Sequence, residues 1–138
     1  MENVTRKTLS NGVRVVFLKK PISSVSIVVC VGTGYLDEKK GYFGISHLLE
    51  HLLFDGTKKW PGEFIFNDVA EQLGGDINGT TKEFSTSFEI RVAEQDFEEA
   101  VELLSELIQS PLLLEKDVVK EKKVIKAELV SRKDYFKK

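Results

Sequence analysis

One cysteine, Cys30, among 138 residues excludes an internal disulfide and any metal site built from several thiolates. A metal here would have to be held by nitrogen and oxygen. Histidine is nearly as scarce, with only His47 and His51. Neither sign of charge dominates: 20 Lys and Arg against 22 Asp and Glu leave a formal net charge of −2 at pH 7. No field of one sign is present to gather a phosphate backbone, so nucleic acid is not an expected partner. Long apolar runs are also missing. The longest, Ile27 to Val31, falls far short of a membrane span, and Met1 to Thr8 lack the apolar core of a secretion signal. The expectation is a cytoplasmic protein without a membrane partner. A hydrophobic share of 41% and a charged share of 30% sit near globular averages, and the length suits one domain, residues 1–138.

Thr8 to Lys19 carries the turn dipeptide Asn11-Gly12 ahead of the alternating run Val13-Arg14-Val15, which predicts an opening hairpin. Ser24 to Val31 alternates again and is rich in β-branched residues, predicting a strand that ends at Gly32-Thr33-Gly34. From Gly44 to Phe54 the period changes: Ile45, Leu48, Leu49, Leu52 and Leu53 recur at helical spacing. A second helix is expected over Phe64 to Leu73, stopped by Gly74-Gly75. Phe84, Thr86, Phe88, Ile90 and Val92 at spacing two predict one half-exposed strand over Thr80 to Val92, with Lys82 and Arg91 on its exposed face. Asp96 is the expected N-cap of a third helix with Glu99 three positions on, buried through Phe97, Val101, Leu104, Leu107 and Ile108 and ended by Pro111. A fourth helix is expected from Leu114 to about Tyr135. The class is α+β, a mixed or antiparallel sheet covered by helices.

The two histidines fall in His47-Leu48-Leu49-Glu50-His51. Four residues apart on a helix, their rings lie on one face and can converge on one ion. Hydrolytic zinc takes three protein ligands and keeps one position for water, and imidazole is a common donor. Glu50 stands one turn from His47, placed to act as general base toward a water acidified by the metal. The plainer reading makes the histidines polar edge residues of a core helix. For a third ligand the last helix offers Glu115, Asp117, Glu121 and Glu128, of which Glu121 and Glu128 are two turns apart and share a face. Spacing alone does not choose among them.

The block from Gly44 to Thr57, including Phe54-Asp55-Gly56-Thr57 after the helix, resembles the motif of the M16 peptidases, the family of pitrilysin, insulin-degrading enzyme and mitochondrial processing peptidase. The resemblance implies a zinc-dependent endopeptidase acting on extended or unstructured peptides, with one zinc per chain held by His47, His51 and Glu128. Between His51 and Glu128 lie 76 residues, the family's interval between second histidine and glutamate ligand. Glu50 is implied as the catalytic base, and Glu121 falls where the family has a second, supporting glutamate. Gly74-Gly75 followed by Asn78-Gly79-Thr80-Thr81 is similar to a family block preceding a strand at the edge of the active site, which implies that these four residues line extended substrate by backbone pairing. A turn at Asn78-Gly79 leading into a structural strand is the simpler alternative.

The chain departs from the family pattern at Ser46 and Gly79, where alanine is usual; both are small and leave the implied ligands untouched. Near Glu83 the charge pattern is shifted by one residue. Family domains are longer, and family enzymes pair two halves around a peptide, with an arginine and a tyrosine from the opposite half. The resemblance therefore implies a partial domain that works as a homo-oligomer or with a complementary half. Two other functions share features with the sequence. One is a non-catalytic M16-like subunit or peptide-binding module, against which stands the intact set His47, Glu50, His51 and Glu128. The other is a ribosylhomocysteine lyase, whose metal works with a downstream cysteine, whereas Cys30 lies upstream. Ligand types alone also admit manganese or cobalt, with zinc the default.

Overall fold

A computed structural model describes residues 3–135. The chain opens with an antiparallel hairpin, β1 (Asn3–Thr8) and β2 (Arg14–Lys19), which pairs Thr8 with Arg14 at its closed end. Gly12 adopts φ +88°, and the side-chain oxygen of Asn11 accepts the Val13 N–H at 3.1 Å, so the expected turn chemistry is present. The hairpin forms a two-stranded sheet of its own.

β3 (Ser24–Val31), β4 (Asp76–Thr81) and β5 (Thr86–Ala93) form a second, wholly antiparallel sheet in the order β3-β5-β4. Alternation sorts its faces. Phe88, Ile90 and Val92 of β5 point into the core beside Ile27 and Val29 of β3 and Ile77 of β4, while Ser87, Glu89 and Arg91 occupy the opposite positions. Three helices cover the apolar face: α1 (Ile45–Phe54), α2 (Glu63–Gln72) and α3 (Phe97–Gln109). Their contributions to the core are Leu53, then Phe66 and Ala70 with the C-cap Leu73, then Ala100, Leu103, Leu104 and Leu107. The long α4 (Glu115–Tyr135) packs against α1. The observed class is α+β with antiparallel sheets.

α2 stops as its glycines require. Gly74 sits at φ +64°, its N–H bonds to Glu71 O at 2.8 Å and that of Gly75 to Ala70 O at 3.2 Å, the paired bonds of a Schellman motif.

Three expectations need correction. The single strand over Thr80 to Val92 is instead the end of one strand, a turn and a second strand: β4 stops at Thr81, residues 82–85 turn, closed by Lys82 N–H to Ser85 O at 2.8 Å, and β5 returns. The period-two pattern runs through the turn, so Phe84 imitates a strand residue while its side chain is 69% exposed. β4 escaped notice because only Ile77 among its inward residues is apolar; Gly79 and Thr81 are the others, and Asn78-Gly79 lies in a strand, not a turn. Lys82 is exposed, but in that turn. In α3 the buried stripe is rotated: Phe97 and Val101 are exposed, and Ala100 and Leu103 take their place in the core. Both sets fit helical spacing, and a small alanine allows close approach to the sheet. Asp96 is the N-cap of α3, yet its side chain makes no capping hydrogen bond because residues 94–96 form a 3-10 turn. Among the described residues, no helix is long and apolar enough to cross a membrane.

Candidate metal centre

The helix carrying the two histidines is secured at both ends. At its start the Glu38 carboxylate accepts the N–H of Gly44 at 2.6 Å and of Ser46 at 2.8 Å, replacing the partners those first-turn amides lack. Partial burial acts to raise the Glu38 pKa, but the N–H groups of Ser46 and Gly44 outweigh it and hold the carboxyl below its ordinary 4.5. At its end Gly56 turns at φ +123°, where a Cβ would lie 2.2 Å from the backbone nitrogen of Gly62. The carbonyl of Gly56 accepts the Leu112 N–H at 3.1 Å, and Lys58 N–H reaches Ser110 O at 2.9 Å. Buried Thr57 braces the loop by accepting the Trp60 N–H at 3.1 Å. The Phe-x-Gly-Thr block thus fastens the end of α1 to the segment that feeds α4, bringing Glu121 and Glu128 to the histidines.

His47 and His51 meet edge to face, ring centroids 4.7 Å apart, with their Nε2 atoms 3.2 Å from each other. The Glu128 carboxylate lies 3.7 Å from His47 Nε2 and 3.8 Å from His51 Nε2. Zinc bonds of about 2.0 to 2.1 Å in tetrahedral geometry separate ligand atoms by about 3.3 Å. The imidazole pair matches that spacing, and Glu128 presents one oxygen to each ring, Oε2 toward His47 and Oε1 toward His51. His47, His51 and Glu128 form a group whose donor atoms all lie within 4.8 Å of one another. The donor set therefore fits a zinc ion.

Glu121 is buried, and its Oε2 lies 2.8 Å from His51 Nδ1. In the tautomer whose Nδ1–H donates to this carboxylate, Nε2 keeps its lone pair for a metal. Glu121 thus meets the outer nitrogen of a histidine ring while also lining the cleft. Glu50 stands apart from the convergent group; its Oε2 accepts a short hydrogen bond from the Thr81 hydroxyl. Gly79 lies against the same side chain: a Cβ there would come within 2.8 Å of Glu50 Cγ and 3.0 Å of Phe54 Cε2. The glycine is more than a small-residue exchange for alanine, because the added methyl would press on the base.

These groups face an open cleft of about 420 Å³, with Asn78 and Gly79 on its wall. β4 is an edge strand of its sheet. Of the four residues expected to line substrate, Asn78 and Gly79 border the cleft, Thr81 engages Glu50, and Thr80 is exposed outside it. Sequence reasoning missed Glu38, which shows no pattern linking it to a helix start six residues away. It also missed Lys120, whose Nζ binds Asp55 Oδ1, Glu63 Oε2 at 2.8 Å and Glu121 Oε1 at 3.2 Å. Burial works to lower the Lys120 pKa, but those carboxylates prevail and raise it above the ordinary lysine value. Asp55 is shifted upward, first by its own burial.

An α+β domain with two helical histidines and a distant glutamate on one point defines a metallohydrolase-type scaffold. The sequence model described as "Insulinase (Peptidase family M16)" matches residues 14–136, and the chain belongs to that family. It is 32% identical over 132 residues to the uncharacterized zinc protease YmxG of Bacillus subtilis, covering 95% of this chain and 32% of that protein. It is 33% identical over 123 residues to cytochrome b-c1 complex subunit 1, mitochondrial, of Bos taurus, covering 88% of this chain and 25% of that one. The crystal structure of a protease from Helicobacter pylori superimposes with a TM-score of 0.90 at 29% identity, over 97% of this chain and 32% of the other. The chain spans about a third or less of the length of the relatives it matches.

Proposed function

We propose that this chain is the metal-bearing part of a zinc-dependent endopeptidase that cleaves extended or unstructured peptides. The observation that carries the reading is the convergence of His47, His51 and Glu128 on one point with Glu50 beside them and outside the ligand group. In this reading one zinc per chain is held by those three residues. Zinc supplies an acidified water and an electrophile toward the scissile carbonyl. Glu50 takes the proton of the attacking water and delivers it to the leaving amine. Thr81 fixes the orientation of Glu50, and Glu121 fixes that of the His51 ring. The free edge of β4 offers backbone groups to an extended peptide, with Asn78 and Gly79 nearest the reacting bond. Among the described residues, no arginine or tyrosine lines the cleft to stabilise an oxyanion. A complementary half or a second copy supplies those donors in this proposal.

The similarity to a respiratory-complex subunit favours a second reading, a family member that binds without cleaving. The complete set of His47, Glu50, His51 and Glu128 weighs for catalysis. Metal analysis and cleavage of a quenched peptide library decide between them. Catalysis requires about one zinc per chain, retained in Glu50→Gln with activity abolished, and zinc sharply weakened in Glu128→Gln. Zinc binding indifferent to Glu128→Gln would overturn the ligand assignment. A chain that holds zinc and cleaves nothing, with or without its partner, would favour the binding module. Light scattering showing a fully active monomer would overturn the pairing.

A further inference from the structure

Glu121 also joins a chain of charges, Lys120, Asp55 and Glu63, that the hydrolytic reading leaves unused. The Glu121 side chain is 9% exposed and has two partners: Oε2 meets His51 Nδ1 at 2.8 Å, and Oε1 meets Lys120 Nζ at 3.2 Å. The same ammonium binds Oδ1 of Asp55, the residue that follows the last residue of α1, and Glu63 Oε2 at the first residue of α2. Asp55 is itself buried, and its Oδ2 has no partner, so Lys120 is what compensates its charge. One cation therefore ties the end of the histidine helix and the start of α2 to the helix that carries both glutamates.

We propose that Lys120 is a positioning residue for the metal centre, acting through Glu121, an inference that rests on reading His47, His51 and Glu128 as metal ligands. A carboxylate held by one oxygen can swing about its terminal torsion; held by both, its plane is fixed. With Lys120 on Oε1, Oε2 stays on the Nδ1–H of His51. That bond fixes the ring so that Nε2 faces His47 Nε2 and Glu128. Asp55 and Glu63 hold the ammonium beside Glu121 although the Lys120 side chain is 42% exposed.

The test is the zinc affinity of the full chain, measured by competition with a chromophoric chelator, with the visible spectrum of the cobalt-loaded protein as a reporter of ligand geometry. Lys120→Met alone would leave Asp55 buried and uncompensated, so Asp55→Asn accompanies it. The double variant is expected to bind zinc about tenfold or more weakly, within the usual range of about 10- to 100-fold for lost outer partners. Its cobalt spectrum is expected to change. Lys120→Arg is expected to restore affinity to near the parent value. In a Glu121→Gln background the Lys120→Met and Asp55→Asn pair adds no further loss, because the group it acts through is already altered. Parental zinc affinity in the double variant, or an equal effect of that pair of substitutions with Glu121→Gln present, overturns the proposal. If the double variant does not fold, Asp55→Asn alone is expected to give a smaller loss in the same direction, and no loss overturns the idea. Failure of the ligand reading would look different: the parent would bind no zinc, or would bind it equally after His51→Ala.

Discussion

Replacing Thr81 with valine keeps the shape of the side chain and removes a hydroxyl donor that holds Glu50. Hydrogen bonds to a charged group contribute about 1.5 to 3 kcal/mol. Thr81 is only half-buried, so water competes and the lower end of that range applies. If that loss falls on the orientation of the base in the transition state, about 1.5 kcal/mol corresponds to roughly a tenfold fall in kcat/KM. Zinc content should not change, because neither Thr81 nor Glu50 belongs to the convergent group of His47, His51 and Glu128. The assay is steady-state cleavage of a quenched peptide by the complete enzyme, with metal measured on the same preparation. Thr81→Ser should recover most of the rate. A Thr81→Val enzyme within twofold of the parent would show that Glu50 does not need this contact, and loss of zinc would show that the threonine supports the ligands instead.

Gly56→Ala places a methyl in a backbone at φ +123° and 2.2 Å from Gly62 N, so thermal unfolding should show a loss of at least about 2 kcal/mol. Zinc affinity should fall with it, since this loop fastens α1 to the entry of α4. Glu38→Gln tests the helix start by pH. The folded pKa of Glu38 lies below its ordinary 4.5, so its contribution to stability is complete above that value and lost as pH falls through the folded pKa. The variant should therefore be less stable near neutrality and lose less on acidification below about pH 4.5; parallel stability curves would refute this. Leu104→Ala, at a position 1% exposed between α3 and the sheet, should cost about 2 to 5 kcal/mol by denaturant titration while leaving zinc affinity in the folded fraction unchanged.

The pieces of this fold most legible in the sequence were those whose signal is local. Asn11-Gly12 set the first hairpin, Gly74-Gly75 stopped α2, and leucines at helical spacing marked α1. β4 was not legible, because a strand whose inward residues are Ile77, Gly79 and Thr81 carries almost no apolar alternation. Its glycine serves the approach of Glu50, so the functional constraint erased the structural signal. The rotated face of α3 was likewise ambiguous, since two stripes one residue apart share helical spacing and only the sheet selects between them.

For the site, the sequence by itself determined the pair His47 and His51 on one helical face and the nearby Glu50, because residues four apart on a helix must be neighbours. It left the third donor open among several acidic residues of α4 until family resemblance singled out Glu128. Only the tertiary structure decided that Glu128 faces the imidazoles while Glu121, two turns earlier, takes the Nδ1 side of His51. It alone gave Thr81 to Glu50 and Lys120 to Glu121, Asp55 and Glu63. Except for the neighbours Lys120 and Glu121, these contacts join residues tens of positions apart. Their geometry is set by how a loop, a sheet edge and two helices pack, which no local spacing encodes.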